Sequence, residues 1–173
     1  YYFGDEKQRQ EWLPKLCSGE CLAAFGLTEP DAGSDAGSSR TTATLEGDCW
    51  TINGHKIFIT NSACPLTGVI VVQAVTGKHE NGKPEISCLI VPGDTPGLTA
   101  KEMKDKMMWR ASNTGELFVD DCIVPEVNRL GKRGYGFHQM LATLDGGRLS
   151  IAAMGLGGAQ AAFELALQYA NSR

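Results

Sequence analysis

The sequence predicts a mainly β fold with flanking helices: an antiparallel barrel or sandwich preceded by a short helix and followed by a long one. Three observations predict it. Short β-branched or apolar runs recur from residue 21 to residue 125, separated by turn residues and with no long helical period between them. A brief helical stripe precedes them. After Gly136 the apolar spacing becomes helical and stays so to the end of the sequence.

The elements follow in order. Asp5 to Cys17 reads as a helix, with Trp12, Leu13 and Leu16 as its apolar stripe and Ser18-Gly19 as its stop. Cys21 to Leu27 is an apolar strand. Arg40–Leu45 and Cys49–Ile52 are rich in Thr and β-branched residues, with Glu46-Gly47-Asp48 as the turn between them. Asn53-Gly54 reads as a two-residue hairpin leading into Lys56–Thr60. Gly68–Val75 and Ile86–Val91 are nearly continuous apolar runs around a polar loop, Gly77–Pro84. Leu117–Val119 and Cys122–Val124 close the region, and Pro125 stops it.

From Phe137 on, Met140, Leu141, Leu144, Ile151, Gly155, Ala159, Phe163, Leu167 and Ala170 recur at helical spacing. Leu149–Leu167 has the length of a membrane span. Ser150, Gln160, Glu164 and three glycines interrupt it, so the expectation is a helix buried inside a bundle, with no membrane span. The expected boundaries are 1–20 for the end of a helical domain, 21–128 for the β domain and 129–173 for the start of a second helical domain.

Composition narrows the function. The 173 residues are 42% hydrophobic and 21% charged, which is ordinary for a globular protein. A formal net charge of -4 with scattered Lys and Arg gives no footprint for nucleic acid. The locally basic stretch Lys101–Arg110 also holds Glu102 and Asp105 and reads as a solvated face. Six cysteines contain no Cys-x-x-Cys pair, so neither a zinc site nor a disulfide framework is expected. Cys49, Cys88 and Cys122 lie in strand-like runs and read as small buried hydrophobes. The chain begins at Tyr1 and stops inside a helical pattern, which reads as part of a longer protein whose targeting signal is not legible.

Chemistry concentrates at Gly26-Leu27-Thr28-Glu29-Pro30-Asp31-Ala32-Gly33-Ser34-Asp35-Ala36-Gly37-Ser38. Gly33 and Gly37 carry no side chain, so backbone N–H groups there can approach a flat polar ligand or a phosphate. Ser34 and Asp35 can equally cap a turn. Glu29 has no partner in sequence that would make it a general base and reads as a carboxylate holding the turn. Phe58 alone reads as a core aromatic and Thr60 alone as a strand residue. His55, His79 and His138 lack triad or ligand spacing.

Taken jointly, these segments resemble the acyl-CoA dehydrogenase family of flavoproteins. The likeness rests on Tyr2-Phe3-Gly4, Leu13-Pro14-Lys15-Leu16, the Gly26–Ser38 signature, Asn53–Asn61, Asp94–Leu98, Asp105–Ser112, Glu116–Asp120, Val124-Pro125 and Leu144–Arg148, all in the family order. The resemblance implies the family's middle β domain plus the first long helix of its carboxy-terminal domain. It implies FAD as cofactor, acyl-CoA as substrate, an electron-transfer flavoprotein as partner, and a homo-oligomer, dimer or tetramer, for the full-length protein.

Residue by residue, the resemblance assigns flavin contacts to Phe25, Leu27, Thr28, Gly33, Ser34, Phe58, Ile59 and Thr60. Phe58 stands where the family more often has Trp, which keeps a stacking surface of smaller size. Ser34, Asp145 and Arg148 are the implied acyl-CoA contacts; Asp145 and Arg148 also satisfy the spacing of a surface ion pair. No catalytic residue is assigned. The family's base is a Glu placed downstream of residue 173 in most members and immediately before the Arg in a minority, where this chain has Gly147. Two other readings stay open: an acyl-CoA oxidase or other flavoenzyme on the same scaffold, and a non-catalytic β-barrel binding module. The implied location is cytoplasmic in a bacterium or the mitochondrial matrix in a eukaryote.

Overall fold

A computed structural model describes residues 1–173, which divide into two compact units, Tyr1–Gln139 and Met140–Arg173. In the first, helix α1 (Glu6–Ser18) begins at a reciprocal cap. The Gln8 N–H donates to Asp5 Oδ1 at 2.8 Å, and the Asp5 N–H donates to Gln8 Oε1 at 3.2 Å. Gln8 is buried, and its amide also donates to the carbonyls of Val127 (2.8 Å) and Arg129 (3.0 Å), which fixes the helix to the far end of the β region.

Eight strands follow: β1 (Leu22–Gly26), β2 (Thr42–Glu46), β3 (Cys49–Thr60), β4 (Thr67–Lys78), β5 (Pro84–Pro92), β6 (Leu98–Glu102), β7 (Thr114–Pro125) and β8 (Arg129–Leu130). They hydrogen-bond in the order β6-β7-β3-β2-β4-β5-β8, with β1 added to β4. The path is open, not a closed barrel, and it is mixed, because β1 and β2 both pair β4 in parallel. A single register pair, Thr42 with Val75, joins the two wings. Both wings bury their apolar faces in one core that includes Trp50, Ile52, Leu117 and Val124 from one side and Ile70, Val72, Leu89 and Val91 from the other.

Four local readings of the sequence change. The expected turn at Gly47-Asp48 is the hairpin joining β2 to β3, but Asn53-Gly54 makes no second hairpin and lies inside the uninterrupted β3. The physical reason is packing. A Cβ on Gly54 would stand 2.3 Å from Thr41 Oγ1, and the Asn53 side chain grips a bulge in β7 by accepting from the Asp121 N–H at 2.9 Å and donating to Asp121 Oδ1 at 3.0 Å. The two runs 117–119 and 122–124 are one strand, β7, crossing that bulge. Cys88 and Cys122 are buried, but Cys49 is exposed next to the hairpin turn. Burial pushes the Cys88 thiol up to about 12 and the Cys122 thiol up to about 11. Strands β6 and β8 have no apolar signal. β6 is mostly exposed, and its start depends on Gly97, whose φ of +84° and whose Cβ position 2.2 Å from the Asp120 carbonyl exclude a side chain.

Helix α2 (Gly136–Asn171) runs 36 residues, long and apolar enough to cross a membrane by length and composition. Every residue from Asp145 onward is exposed, including Ile151, Leu156, Phe163 and Leu165.

Candidate functional site

Strand β1 delivers the chain into the glycine-rich turn, and β3 runs beside it. The two are stitched together at consecutive residues. The Lys56 ammonium donates to the Leu27 carbonyl at 3.2 Å and to Glu29 Oε1 at 2.7 Å, and the Ile57 N–H donates to the Thr28 carbonyl at 2.9 Å. Beyond the clamp, the Asn61 side-chain amide donates to the Ala23 carbonyl at 3.3 Å.

Glu29 organises the turn. Its carboxylate also accepts from Ser39 Oγ at 2.6 Å, the Arg40 N–H at 2.6 Å and the Thr41 N–H at 3.0 Å. Glu29 is 4% exposed and Lys56 fully buried. Burial pushes the Glu29 carboxyl up, but Lys56, Ser39, Thr41 and Arg40 more than offset it, and its pKa sits at about 2. Burial lowers the Lys56 ammonium from its ordinary value, and the hydrogen bond and charge of Glu29 resist that fall. A carboxylate so held accepts no proton near neutral pH, so Glu29 is a tether and not a general base. Gln73, fully buried on β4, supports the same turn by donating to the Ala36 carbonyl at 2.8 Å.

The strand changes phase directly after the clamp. Trp50, Ile52 and Lys56 are buried at even positions, and simple alternation would bury Phe58 and Thr60 as well. A bulge between Lys56 and Ile59, with Phe58 at φ +61°, inserts one extra residue. Ile59 then turns into the core, and Phe58 and Thr60 turn outward. Phe58 is 61% exposed, so the core-aromatic reading of this residue is wrong. A bulky residue in the left-handed region is uncommon and marks a strained segment held by its surroundings.

The structure brings most of the sequence-assigned residues to this clamp. Leu27 is buried and Phe25 and Thr28 are half-buried, all on the turn side; Phe58, Ile59 and Thr60 are on the strand side. Gly33 and Ser34 are exposed farther along the turn, and a Cβ on Gly33 would meet nothing within 4 Å. Gly37 is less open, with the Phe137 ring 3.6 Å from its Cβ position. Asp35 accepts from Ser38 Oγ at 2.5 Å, closing the short 3-10 turn 36–38. Asp145 and Arg148 lie in the second unit and pair with each other at 2.5 Å, both about 70% exposed. Sequence reasoning missed Lys56, although its inward phase with Trp50 and Ile52 is legible from alternation. It also missed the pair between His55 Nε2 and Glu116 Oε1 at 2.7 Å, beside Phe118 stacked on the His55 ring.

Comparison with known proteins decides the family. The acyl-CoA dehydrogenase middle domain matches residues 24–122, and the acyl-CoA dehydrogenase C-terminal domain matches residues 134–173. The chain belongs to the acyl-CoA dehydrogenase family. Members of this family are FAD-binding oxidoreductases. The probable acyl-CoA dehydrogenase YngJ of Bacillus subtilis (strain 168) is 54% identical over 173 residues, covering 100% of this chain and 45% of the relative. A glutaryl-coenzyme A dehydrogenase solved as its glutaryl-CoA complex is 39% identical, with a TM-score of 0.90 over 99% of this chain and 43% of that one. The glutaryl-CoA dehydrogenase of Mycobacterium smegmatis, solved in complex with FADH2, is 42% identical, with a TM-score of 0.68 over 75% of this chain and 31% of that one. The chain thus spans less than half the length of each of these relatives.

Proposed function

We propose that this chain is the flavin-facing middle region and the start of the carboxy-terminal domain of an FAD-dependent acyl-CoA dehydrogenase. The full protein would remove hydrogens from the α and β carbons of an acyl-CoA thioester and pass electrons to an electron-transfer flavoprotein. The observation that carries this reading is the direct bonding of the 27–29 turn to residues 56–57, with Phe58 and Thr60 turned outward beside it.

The residue types suit a flavin. An isoalloxazine ring has a flat apolar surface and a pyrimidine edge rich in donors and acceptors. Phe58 offers an exposed ring, Thr28 and Thr60 offer hydroxyls, and Gly33 and Ser34 offer an open backbone that can approach a diphosphate or the substrate. The Leu27 and Ile59 side chains are buried, so these two residues support the wall and meet a ligand only through their backbone. When bound, FAD supplies the acceptor for a hydride equivalent. The Thr60 hydroxyl is the donor we assign to the ring edge where negative charge develops. Arg148 and Asp145, exposed on α2, are assigned to polar groups of the CoA moiety.

No proton-abstracting base is assigned within these residues. Glu29 is tethered, and Gly147 precedes Arg148 where a minority of the family carries the catalytic Glu. The full protein is proposed to act as a homo-oligomer, dimer or tetramer, in the cytoplasm of a bacterium or the matrix of a mitochondrion, with neither nucleic acid nor a membrane span involved.

The test is anaerobic mixing of the full-length protein with saturated acyl-CoA thioesters while bound-flavin absorbance is followed. Bleaching, with reoxidation faster by electron-transfer flavoprotein than by oxygen, is the expected result. Fast reoxidation by oxygen would make it an oxidase. Absence of any bleaching with a panel of chain lengths and branched thioesters contradicts the assignment. Residues 1–173 expressed alone are expected to show no turnover.

A further inference from the structure

Lys56 is the one fully buried lysine of the chain, and the chemistry assigned above leaves it without a role. Burying an ammonium is expensive, and an apolar side chain of similar volume would fill the same space at lower cost. What an apolar side chain cannot do is hold two carbonyl-side partners at once. Lys56 reaches the residue before Thr28, through the Leu27 carbonyl, and the residue after it, through the Glu29 carboxylate. The backbone bond from the Ile57 N–H to the Thr28 carbonyl sits between them. One hydrogen bond leaves a turn free to pivot; three, spread over residues 27, 28 and 29, fix its orientation against the strand.

The neighbouring segment needs such a constraint. Two residues beyond Lys56 the backbone enters the left-handed region at Phe58, and Asn61 follows at φ +65°. Conformations of this kind persist where the surroundings over-determine them. The Lys56 clamp lies on one side and the Asn61 to Ala23 bond on the other, and the outward-facing Phe58 and Thr60 lie between them.

We propose that Lys56 is a positioning residue for the flavin wall: by clamping residues 27–29 to β3 it sets the placement of Thr28 relative to Phe58 and Thr60. The proposal rests on the flavin reading above and adds to it the element that sets its geometry.

The experiment uses the full-length protein and the double variant Lys56→Met/Glu29→Gln. That pair leaves no unpaired buried charge and keeps the one acceptor oxygen that Ser39 and Thr41 share, while the Arg40 N–H loses the Oε2 acceptor; Arg40 is therefore left out of the exchange readout, and protection of β4 and β5 separates the clamp from a folding defect. Two quantities are read: amide exchange without flavin, and FAD affinity together with the midpoint potential of the bound flavin. The expected result is faster exchange at Ile57 and residues 27–41 other than Arg40, unchanged protection of β4 and β5, FAD binding weaker by roughly tenfold or more, and a shifted potential. Lys56→Arg, which keeps the cation, is expected to recover part of both flavin readouts. The proposal is overturned if the double variant binds FAD with unchanged affinity and potential. It is also overturned if exchange rises equally across β4 and β5, since Lys56 would then be only a general stabiliser. If the unmodified protein takes up no FAD, the parent reading fails instead, and this role fails with it.

Discussion

Two cation–carboxylate pairs of nearly equal length occupy opposite environments in this molecule. Lys56 and Glu29 meet at 2.7 Å with side chains 0% and 3% exposed, whereas Arg148 and Asp145 meet at 2.5 Å with side chains 71% and 70% exposed. Distance alone would rank them alike. Burial separates them, because water screens the α2 pair and its partners lose little when parted. The buried pair has replaced all of its hydration by protein donors and acceptors, so parting it strands a charge. The β region has therefore committed charge to holding two segments together. Helix α2 carries its pair in solvent.

The largest effect that would break this contrast comes from Lys56→Met alone. It leaves Glu29 buried without its cation and is expected to cost about 3–5 kcal/mol in urea unfolding of the β unit. A loss close to that of a surface substitution would erase the distinction between the pairs. Acid gives a second view of the same site. The Glu29 carboxyl lies at about 2 in the folded chain, below its ordinary value of 4.5. The sign for a depressed acid is that its contribution is fully present above 4.5 and is lost as pH falls toward 2. Faster exchange at the Arg40 and Thr41 amides is expected over that window, ahead of the β4–β5 amides.

A smaller effect sharpens the comparison by separating stability from binding. Phe58→Gly relieves a left-handed backbone and is expected to raise the stability of the flavin-free protein by about 1 kcal/mol, while FAD affinity falls. Destabilisation on denaturant unfolding would show that the Phe58 ring serves packing. The smallest effect is assigned to Arg148→Ala, at most about 0.5 kcal/mol in thermal unfolding. Its consequence is expected in the KM for acyl-CoA. A change in unfolding with no change in KM would place Arg148 among structural residues.

Much of the β region was legible before any coordinates, because apolar runs such as Gly68–Val75 and Ile86–Val91 report burial on both faces. What escaped was long-range. Asn53-Gly54 carries the composition of a turn, yet each residue answers a partner far off in sequence, Asp121 and Thr41. β6 is polar and exposed, and its place comes from pairing with β7, which sequence periodicity does not encode. At the site, alternation with Trp50 and Ile52 carries the inward phase of Lys56, a signal the sequence analysis left unused, whereas the bulge that turns Phe58 and Thr60 outward depends on register against β7 and has no local signature. The parallel pairings of β1 and β2 to β4 escaped for the same reason, and with them the open sheet.

Hydrogen exchange of the full-length protein with and without FAD tests the flavin wall most directly. Peptides covering residues 25–34 and 57–61 should gain protection together on FAD binding, with β6 unchanged. Flavin bound with neither peptide protected would contradict the account.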